Sequence, residues 1–389
     1  MRIAETIIDM EIYRGYTLQK NSEYVMPGAI MKQLMAIYPG GIIETGKFEN
    51  YYNQINVNNL PEGKNLLLFR SGGIGDVMFM LPLIKYLKKN FDATIKAGTT
   101  PAYITLLENS PYVDKCLMMP FKLEEMETCD YHLTFEGVIE DIDKEAKSFH
   151  AVDLFLKEAG LDFTKIPSED KIPELGLDKN YLKKVESKLS YLKDDIKIGV
   201  QLQSSSPIRT FPLEKLIGVL RELAVRGYAI FIFGGKNQEN LGKHVQRILA
   251  NFSTPTKIIN LATEHIGLRD SVAFANFMDV IIAPDSAFIH IAGALGIPVV
   301  GLYGCFPSLL RMKYYKKAIG IDTNVSCSPS FIHGHSPCHR GDPPPCFSVI
   351  SIKNILDAVD HLLEISKIED EYPAFSEFKS GEIVNSTFV

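Results

Sequence analysis

Three loops of this sequence combine residue types that could bind phosphate or accept a proton. The first, Arg70 to Asp76, contains Gly73 and Gly75 and lies between an apolar run and an amphipathic stretch. Its glycines permit a sharp turn and a close approach to a ligand, and the next helix would present free amides. The spacing of a dinucleotide fingerprint and the lysine of a Walker loop are both absent. Asp76 is therefore either a site residue or a helix N-cap.

The second loop follows an apolar run at residues 196–202. It contains Ser204, Ser205 and Arg209 before Pro212 opens a helical pattern. Hydroxyl groups and a guanidinium suit a diphosphate, because arginine can donate two hydrogen bonds to phosphate oxygens. An ordinary polar turn is the alternative, since serine and proline are also common in turns.

The third loop begins where an apolar strand pattern gives way to a helix of small residues. Asp285, Ser286 and Ala287 stand at this junction, and His290 follows one turn later. Small residues let the helix pack close to a sheet and bring its first amides near a ligand. His290 is either part of the site or a buried histidine with an internal partner.

Composition limits the class of protein. The chain has 389 residues, 46% of them hydrophobic, and a formal charge of −6, which indicates about two globular domains of roughly 150 residues. The negative charge argues against nucleic acid as a partner. The first ten residues lack the apolar core of a signal peptide, and polar residues interrupt the most apolar stretch, residues 280–306. We expect no transmembrane segment and a cytoplasmic location, which is compatible with peripheral contact at a membrane.

The positions of these loops follow from the pattern of strands and helices. Residues 65–69 begin an alternation of short apolar runs and helical patterns that restarts after a polar segment at 162–177. Such alternation predicts the α/β class with two parallel sheets, whose ligands bind beyond the carboxyl ends of the strands. We expect four regions: an N-terminal extension of undetermined structure at 1–63, domains at 64–178 and 179–365, and a tail at 366–389.

The motifs together resemble glycosyltransferase family 9, the ADP-heptose-dependent heptosyltransferases. The resemblance extends over residues 65–363 and is most specific at two motifs: Gly75-Asp76 with Pro82, and Asp285-Ser286 through His290 to Gly296-Ile297-Pro298. It implies the GT-B fold, in which two Rossmann-like domains face a cleft. The N-terminal domain would take the acceptor and the C-terminal domain the nucleotide sugar, and no metal would be needed for transfer.

The same resemblance assigns roles by position. Asp76 matches the proposed general base, with Gly73 and Gly75 in the acceptor-side loop. The residues that match donor-binding positions are Ser204, Ser205, Arg209, Gly234, Glu239, Asp285, Ser286, Ala287 and His290. Arginine at position 209 replaces the usual lysine, and Ser286-Ala287 replaces threonine-glycine. The arginine keeps the charge but changes its geometry.

A cluster of cysteines near the C-terminus has two interpretations. Cys327, Cys338 and Cys346 lie close in sequence, together with His333, His335 and His339. Such ligands could hold a structural zinc or iron ion. Some members of the family carry a cysteine where Ser330 stands, and a related group carries an iron-bearing cysteine finger. The missing cysteine and the uneven spacing favour the alternative, a proline-rich loop with buried thiols.

We therefore expect an inverting, metal-independent glycosyltransferase that moves a heptose from ADP-heptose. The acceptor would be a lipopolysaccharide, another glycan, or a lipid-linked or protein acceptor. A non-catalytic nucleotide-sugar binding protein of the same fold is the main alternative. An NAD-dependent oxidoreductase is supported only by the βα repeats, and the missing dinucleotide spacing argues against it.

Overall fold

The structure is a computed structural model of the chain. It describes residues 1–13, 15–47, 57, 60–139, 148–252, 257–264, 266–323, 325–330, 338, 340–341, 344–366 and 376–379. The chain forms two compact units. The first comprises Met1–Asp143 and Ala151–Gly176, and the second comprises Lys144–His150 and Leu177–Val389.

The first unit contains a four-stranded parallel sheet with the order β10-β6-β7-β8. Its strands are β6 (Lys64–Phe69), β7 (Ala93–Thr99), β8 (Lys115–Met118) and β10 (Tyr131–Thr134). Its helices are α2 (Ile74–Phe79), α3 (Leu81–Asn90), α4 (Leu123–Glu127) and α5 (Ala151–Glu158). Leu66, Leu67 and Leu68 of β6 are all buried, as expected for a strand covered on both faces.

The N-terminal segment forms its own antiparallel layer. Strand β1 (Arg2–Thr6) pairs with β4 (Glu23–Met26) on one side and with β5 (Ile42–Lys47) on the other, and helix α1 (Gly28–Ile37) packs on β1. Strands β2 (Met10–Tyr13) and β3 (Tyr16–Leu18) form a hairpin. The fourth strand, β9 (Phe121–Lys122), comes from the chain just after β8. Strand β9 pairs with β4, so the chain segment that leaves the parallel sheet after β8 also joins the extension.

The second unit is built on a seven-stranded parallel sheet with the order β13-β12-β11-β14-β15-β16-β17. The strands are β11 (Lys197–Gln201), β12 (Ala229–Phe233), β13 (Ile258–Asn260), β14 (Val280–Pro284), β15 (Val299–Leu302), β16 (Ala318–Asp322) and β17 (Ser376–Lys379). The strand order reverses between β11 and β14, the point where such sheets bind ligands.

Helices flank this sheet and cover its apolar side chains. They are α6 (Lys179–Leu189), α7 (Leu213–Val225), α8 (Glu239–Leu249), α9 (Leu268–Ala275), α10 (Ala287–Leu295), α11 (Leu309–Met312) and α12 (Ile352–Ile365). Helices α7 and α12 pack on each other, and α10 packs on β14 and β15. Leu220 and Val359 are fully buried in the core that includes α7 and α12.

These sheets confirm the predicted α/β class with two Rossmann-like halves. The segment after β7 forms a 3₁₀ turn, Pro101–Leu106, which Pro101 opens. The amphipathic stretch after the Arg70–Asp76 loop forms two helices, α2 and α3, and α3 has Pro82 in its first turn. Among the described residues, no helix is both long enough and apolar enough to cross a bilayer.

Candidate functional site

The loop at Arg70 to Asp76 lies at the carboxyl end of β6, as expected. Gly73 has φ of +72° and occupies the N-cap position of α2. A Cβ atom on Gly73 would lie 2.2 Å from Asp76 Oδ2, so both the backbone and the space require glycine. Asp76 is the third residue of α2, and the N-cap interpretation of Asp76 was wrong because the helix begins two residues earlier. Gly75 lies within the first turn of α2.

Arg70 holds the carboxylate of Asp76. Its Nη2 lies 3.0 Å from Asp76 Oδ2, while its Nη1 donates to the carbonyl of Phe135 at 2.6 Å and its Nε to that of Gly72 at 3.2 Å. The Arg70 side chain is 3% exposed and that of Asp76 is 21% exposed. The guanidinium therefore anchors the carboxylate from the protein side and leaves part of it open to solvent. The sequence placed Arg70 at the start of this loop but did not indicate its role.

Glu136, after β10, closes the same loop from a neighbouring strand. Its Oε1 accepts a hydrogen bond from the backbone amide of Ser71. The loops after β6 and β10 therefore meet at one edge of the sheet, as parallel order requires.

In the second unit, the loops after β11 and β14 are joined by direct contacts. Ser204 Oγ donates to the carbonyl oxygen of Asp285 at 2.7 Å. Arg209 Nη2 donates to Ser205 Oγ at 2.9 Å, and Arg209 Nη1 lies 3.8 Å from Asp285 Oδ2. The structure thus brings together four of the residues that sequence reasoning assigned to the donor.

The start of α10 carries unused hydrogen-bonding capacity. Ser286 is the N-cap residue of α10, but its side chain makes no capping bond, and Ala287 is the first helical residue. Among the described residues, Ser286 Oγ, Arg209 Nε and Tyr303 OH are buried and have no hydrogen-bond partner. Buried polar atoms are nearly always paired, so three such atoms in the loops after β11, β14 and β15 indicate a ligand site.

His290 is buried behind this loop. Its Nδ1 lies 2.8 Å from the hydroxyl of Tyr315, whose ring packs against Gly293. Burial, with the positive charges of Arg311 and Arg209, lowers the pKa of His290 to about 3. The imidazole is therefore neutral at pH 7, which matches the alternative of a buried histidine with an internal partner.

Two further buried residues of the second unit, Tyr303 and Arg311, were not predicted. Arg311 of α11 is buried, with its guanidinium 4.2 Å above the ring of Phe306. Tyr303 follows β15, and burial, followed by the negative charge of Asp285, raises the pKa of its hydroxyl well above the ordinary value. Arg311 is a single cation in a short helix, so no spacing pattern in the sequence identifies it.

Gly234 and Glu239 lie at the carboxyl end of β12, beside β11 in the sheet. A Cβ on Gly234 would lie 2.6 Å from Gln238 Oε1, which accepts a hydrogen bond from Gln201 Nε2 at 3.1 Å. Glu239 opens α8 and pairs with Lys243. The β12 loop is thus tied to the last residue of β11 at the edge that carries Ser204.

The predicted metal ligands do not assemble in the described part of the chain. Cys327 and Cys338 are partly exposed and Cys346 is buried. Burial raises the pKa of the Cys346 thiol. No three His, Cys, Asp or Glu side chains among the described residues could hold a metal ion. His333, His335 and His339 lie outside the described residues.

A surface cavity of about 540 Å³ lies elsewhere in the first unit. Its lining includes Tyr86 and Asn90 from the carboxyl-terminal half of α3, together with Asp170. It contains none of the residues assigned to catalysis or donor binding. We place the chemistry at the carboxyl edges of the sheets, where the glycine-rich loop and the unpartnered donors lie.

Sequence comparison identifies the family to which this chain is similar. The family model described as glycosyltransferase family 9 (heptosyltransferase) matches residues 136–337, just over half of the chain. A search of curated proteins finds no match.

Solved structures share the fold at low sequence identity. E. coli ADP-heptose lps heptosyltransferase II superposes with a TM-score of 0.57 at 19% identity, covering 78% of this chain and 99% of that one. The family 9 glycosyl transferase from Veillonella parvula gives 0.58 at 18% identity, covering 78% and 98%. The iron-containing dodecameric glycosyltransferase TibC from enterotoxigenic E. coli gives 0.55 at 13% identity, covering 79% and 78%. The predicted GT-B fold is confirmed by these likenesses, and the match to the family model makes this chain a member of glycosyltransferase family 9 and hence a glycosyltransferase.

Proposed function

We propose that this enzyme transfers a heptose from ADP-heptose to a hydroxyl of a glycan, lipid-linked or protein acceptor, with inversion at the anomeric carbon. The observation that carries the donor assignment is the set of unpartnered buried atoms Ser286 Oγ, Arg209 Nε and Tyr303 OH at the carboxyl edge of the second sheet. Support for the sugar comes from similar folds: one is named an ADP-heptose heptosyltransferase, and TibC has been solved with ADP-D-β-D-heptose.

The donor diphosphate would bind at the start of α10. The first amides of that helix and Ser286 Oγ would donate hydrogen bonds to phosphate oxygens. Arg209 would supply a charge-assisted bond. Its present contact with Asp285, at 3.8 Å, is longer than a direct hydrogen bond and leaves Nε available.

Charge on the leaving group would be offset by protein cations. As the bond between the anomeric carbon and the diphosphate oxygen breaks, ADP takes the electron pair and gains negative charge. The guanidinium of Arg209 would already be held in place when that charge develops, and such preorganised stabilisation is the usual basis of electrostatic catalysis. This role for arginine is why we propose transfer without a metal ion.

Asp76 would serve as the general base. The acceptor oxygen forms a bond to the anomeric carbon on the face opposite the diphosphate, and its proton passes to the Asp76 carboxylate. The hydroxyl becomes acidic only as that bond forms, so a carboxylate is a sufficient base. Arg70, with its guanidinium 3.0 Å from Asp76, would keep the carboxylate oriented toward the acceptor.

Ligand-induced thermal stabilisation tests the donor assignment. Purified protein is screened against ADP, UDP, GDP, CMP and NAD, and then repeated with Arg209→Ala and the control Arg221→Ala, which removes an exposed arginine of α7. At 100 times its dissociation constant a ligand adds about 2.7 kcal/mol. We expect a shift with ADP that Arg209→Ala loses and Arg221→Ala retains. A shift with UDP or GDP alone would reject ADP-heptose, and a shift with NAD alone would reject the transferase proposal for this site.

A further inference from the structure

The hairpin of the N-terminal extension reaches the carboxyl edge of the first parallel sheet. Tyr16, the first residue of β3, donates from its hydroxyl to the carbonyls of Pro120 at 2.8 Å and Met118 at 3.0 Å. Met118 is the last residue of β8. Tyr13, the last residue of β2, pairs directly with Tyr16 across the hairpin. The tip of the hairpin therefore lies over the end of β8.

A chain of contacts leads from this tip to Asp76. The 3₁₀ turn Pro101–Leu106 follows β7 and packs against both β8 and α2, the helix that carries Asp76. Tyr103 lies in this turn. Burial raises the pKa of Tyr103, and the charges of Asp76 and Tyr13 add to the effect. The hairpin tip, the turn that carries Tyr103 and the helix that carries Asp76 thus all lie at the carboxyl edge of the first parallel sheet.

We propose that Tyr13 and Tyr103 form the acceptor-binding surface beside Asp76, and that this surface takes the ring of a sugar. The inference rests on the proposed function, since it assumes that Asp76 receives the acceptor proton. It gives the N-terminal extension a role in acceptor recognition and selects the glycan from the acceptor classes that the sequence left open.

The side-chain chemistry of Tyr13 and Tyr103 favours a sugar as the ligand. A tyrosine ring offers an apolar face and a polar hydroxyl, which matches a sugar ring with one C–H face and a rim of hydroxyl groups. Tyr13 is 41% exposed, so part of its ring is accessible to a ligand from solvent. The anchoring of Tyr16 to the end of β8 fixes the hairpin tip, so little ordering is required on binding.

The chain contains no tryptophan, which permits a direct binding test. Tyr13→Trp introduces a single fluorophore at the hairpin tip, and Tyr191→Trp places one at an exposed site in the second unit as the control. Each variant is titrated, with ADP present, with lipopolysaccharide core oligosaccharide and with a serine- and threonine-rich peptide. We expect the oligosaccharide to shift the emission of Tyr13→Trp alone. A response to the peptide only, or to neither ligand, would overturn the inference.

Steady-state kinetics provide a second, independent test of the acceptor-binding surface. With ADP-heptose as donor, Tyr13→Ala should raise KM for the oligosaccharide roughly fivefold or more, while KM for ADP-heptose stays constant. Tyr191→Ala should change neither value. An unchanged oligosaccharide KM in Tyr13→Ala would reject the acceptor role. If the unaltered enzyme releases no ADP from ADP-heptose, the proposed function fails, and the fluorescence titration still decides the binding surface independently.

Discussion

Arg70 Nη2 lies 3.0 Å from Asp76 Oδ2, and the same guanidinium also bonds to the carbonyls of Phe135 and Gly72. One buried side chain thus ties the carboxylate to two loops at the edge of the sheet. The pair is asymmetric, because the arginine is almost fully buried while solvent reaches the aspartate. Arg70 is therefore a positioning residue for the proposed base.

Replacing Arg70 tests this positioning role. Arg70→Met removes three hydrogen bonds and the cation, and we expect a loss of about 2 kcal/mol in the free energy of unfolding, below the roughly 3–5 kcal/mol of a fully buried pair. Transfer should fall at least tenfold. Arg70→Lys keeps the charge but cannot form all three bonds, so it should recover only part of both losses. Urea denaturation and ADP release measure the two effects.

The control is Arg226→Met, which breaks an exposed pair with Asp360 in the second unit. It should cost no more than about 1 kcal/mol. Equal losses of stability in Arg70→Met and Arg226→Met would contradict the anchoring role of Arg70.

Removing the proposed base should separate catalysis from binding. Asp76→Asn keeps the shape of the side chain but cannot accept the proton, so we expect kcat to fall by about 10²–10⁴-fold. ADP should still stabilise the variant, because the proposed donor residues lie in the other unit. Asp130→Asn makes the same change at the amino edge of the sheet, where Asp130 accepts a bond from the Asn65 amide. Transfer that survives in Asp76→Asn would exclude Asp76 as the base, and an equal loss in Asp130→Asn would show that the effect is not specific to Asp76.

Buried histidines should make stability depend on pH. Burial lowers the pKa of His290 to about 3, and it lowers the pKa values of His150 and His132 as well. Below pH 6.5 these histidines are protonated in the unfolded chain but remain neutral in the folded chain. The free energy of unfolding is therefore greatest above pH 6.5 and falls as the solution is acidified. Each such histidine contributes a slope of up to roughly 1.4 kcal/mol per pH unit between 6.5 and its folded pKa.

Urea denaturation at pH 7, 6 and 5 measures this slope. His290→Asn should lose less stability on acidification than the unaltered chain. Asparagine does not titrate, so protonation at position 290 no longer favours the unfolded chain. Identical slopes would show that His290 is not held neutral by burial.

The packing of Tyr315 on Gly293 predicts a steric effect. A Cβ at position 293 would lie 2.4–2.5 Å from the ring of Tyr315, so Gly293→Ala should displace the ring and cost about 1–3 kcal/mol. Gly28→Ala is the matched control, since its nearest side-chain atom would be 3.8 Å away and such changes stay within about 0.5 kcal/mol. Thermal unfolding compares the two. A neutral Gly293→Ala would show that the helix can move away from Tyr315.

The sequence predicted the parallel sheets well because their strands are local and apolar. Strands such as β6 and β14 are buried on both faces and read as continuous runs. The antiparallel layer of the extension was not predicted, because its strand β9 has two residues and pairs with β4 almost a hundred positions earlier. Pairing over such a distance leaves no pattern in a single sequence.

The candidate site divides in the same way. Asp285, Ser286 and Arg209 lie in loops that directly follow apolar strands, so their positions and side-chain types, together with the family resemblance, selected them. Arg311 and Tyr303 depend on tertiary packing around α11 and β15, and the partner of Asp76 became visible only when the guanidinium of Arg70 was placed beside it. Local patterns therefore identified the loops, while the contacts between them required the fold.

The most direct test of the central claim follows the sugar itself. The enzyme is incubated with ADP-heptose of defined anomeric configuration and lipopolysaccharide core oligosaccharide, and ADP release and the anomeric proton of the product are followed by NMR. We predict stoichiometric ADP release and a product of the opposite anomeric configuration. A product that retains the donor configuration would contradict the proposed direct displacement. Absence of ADP release with glycan, lipid-linked and peptide acceptors alike would contradict heptose transfer from ADP-heptose.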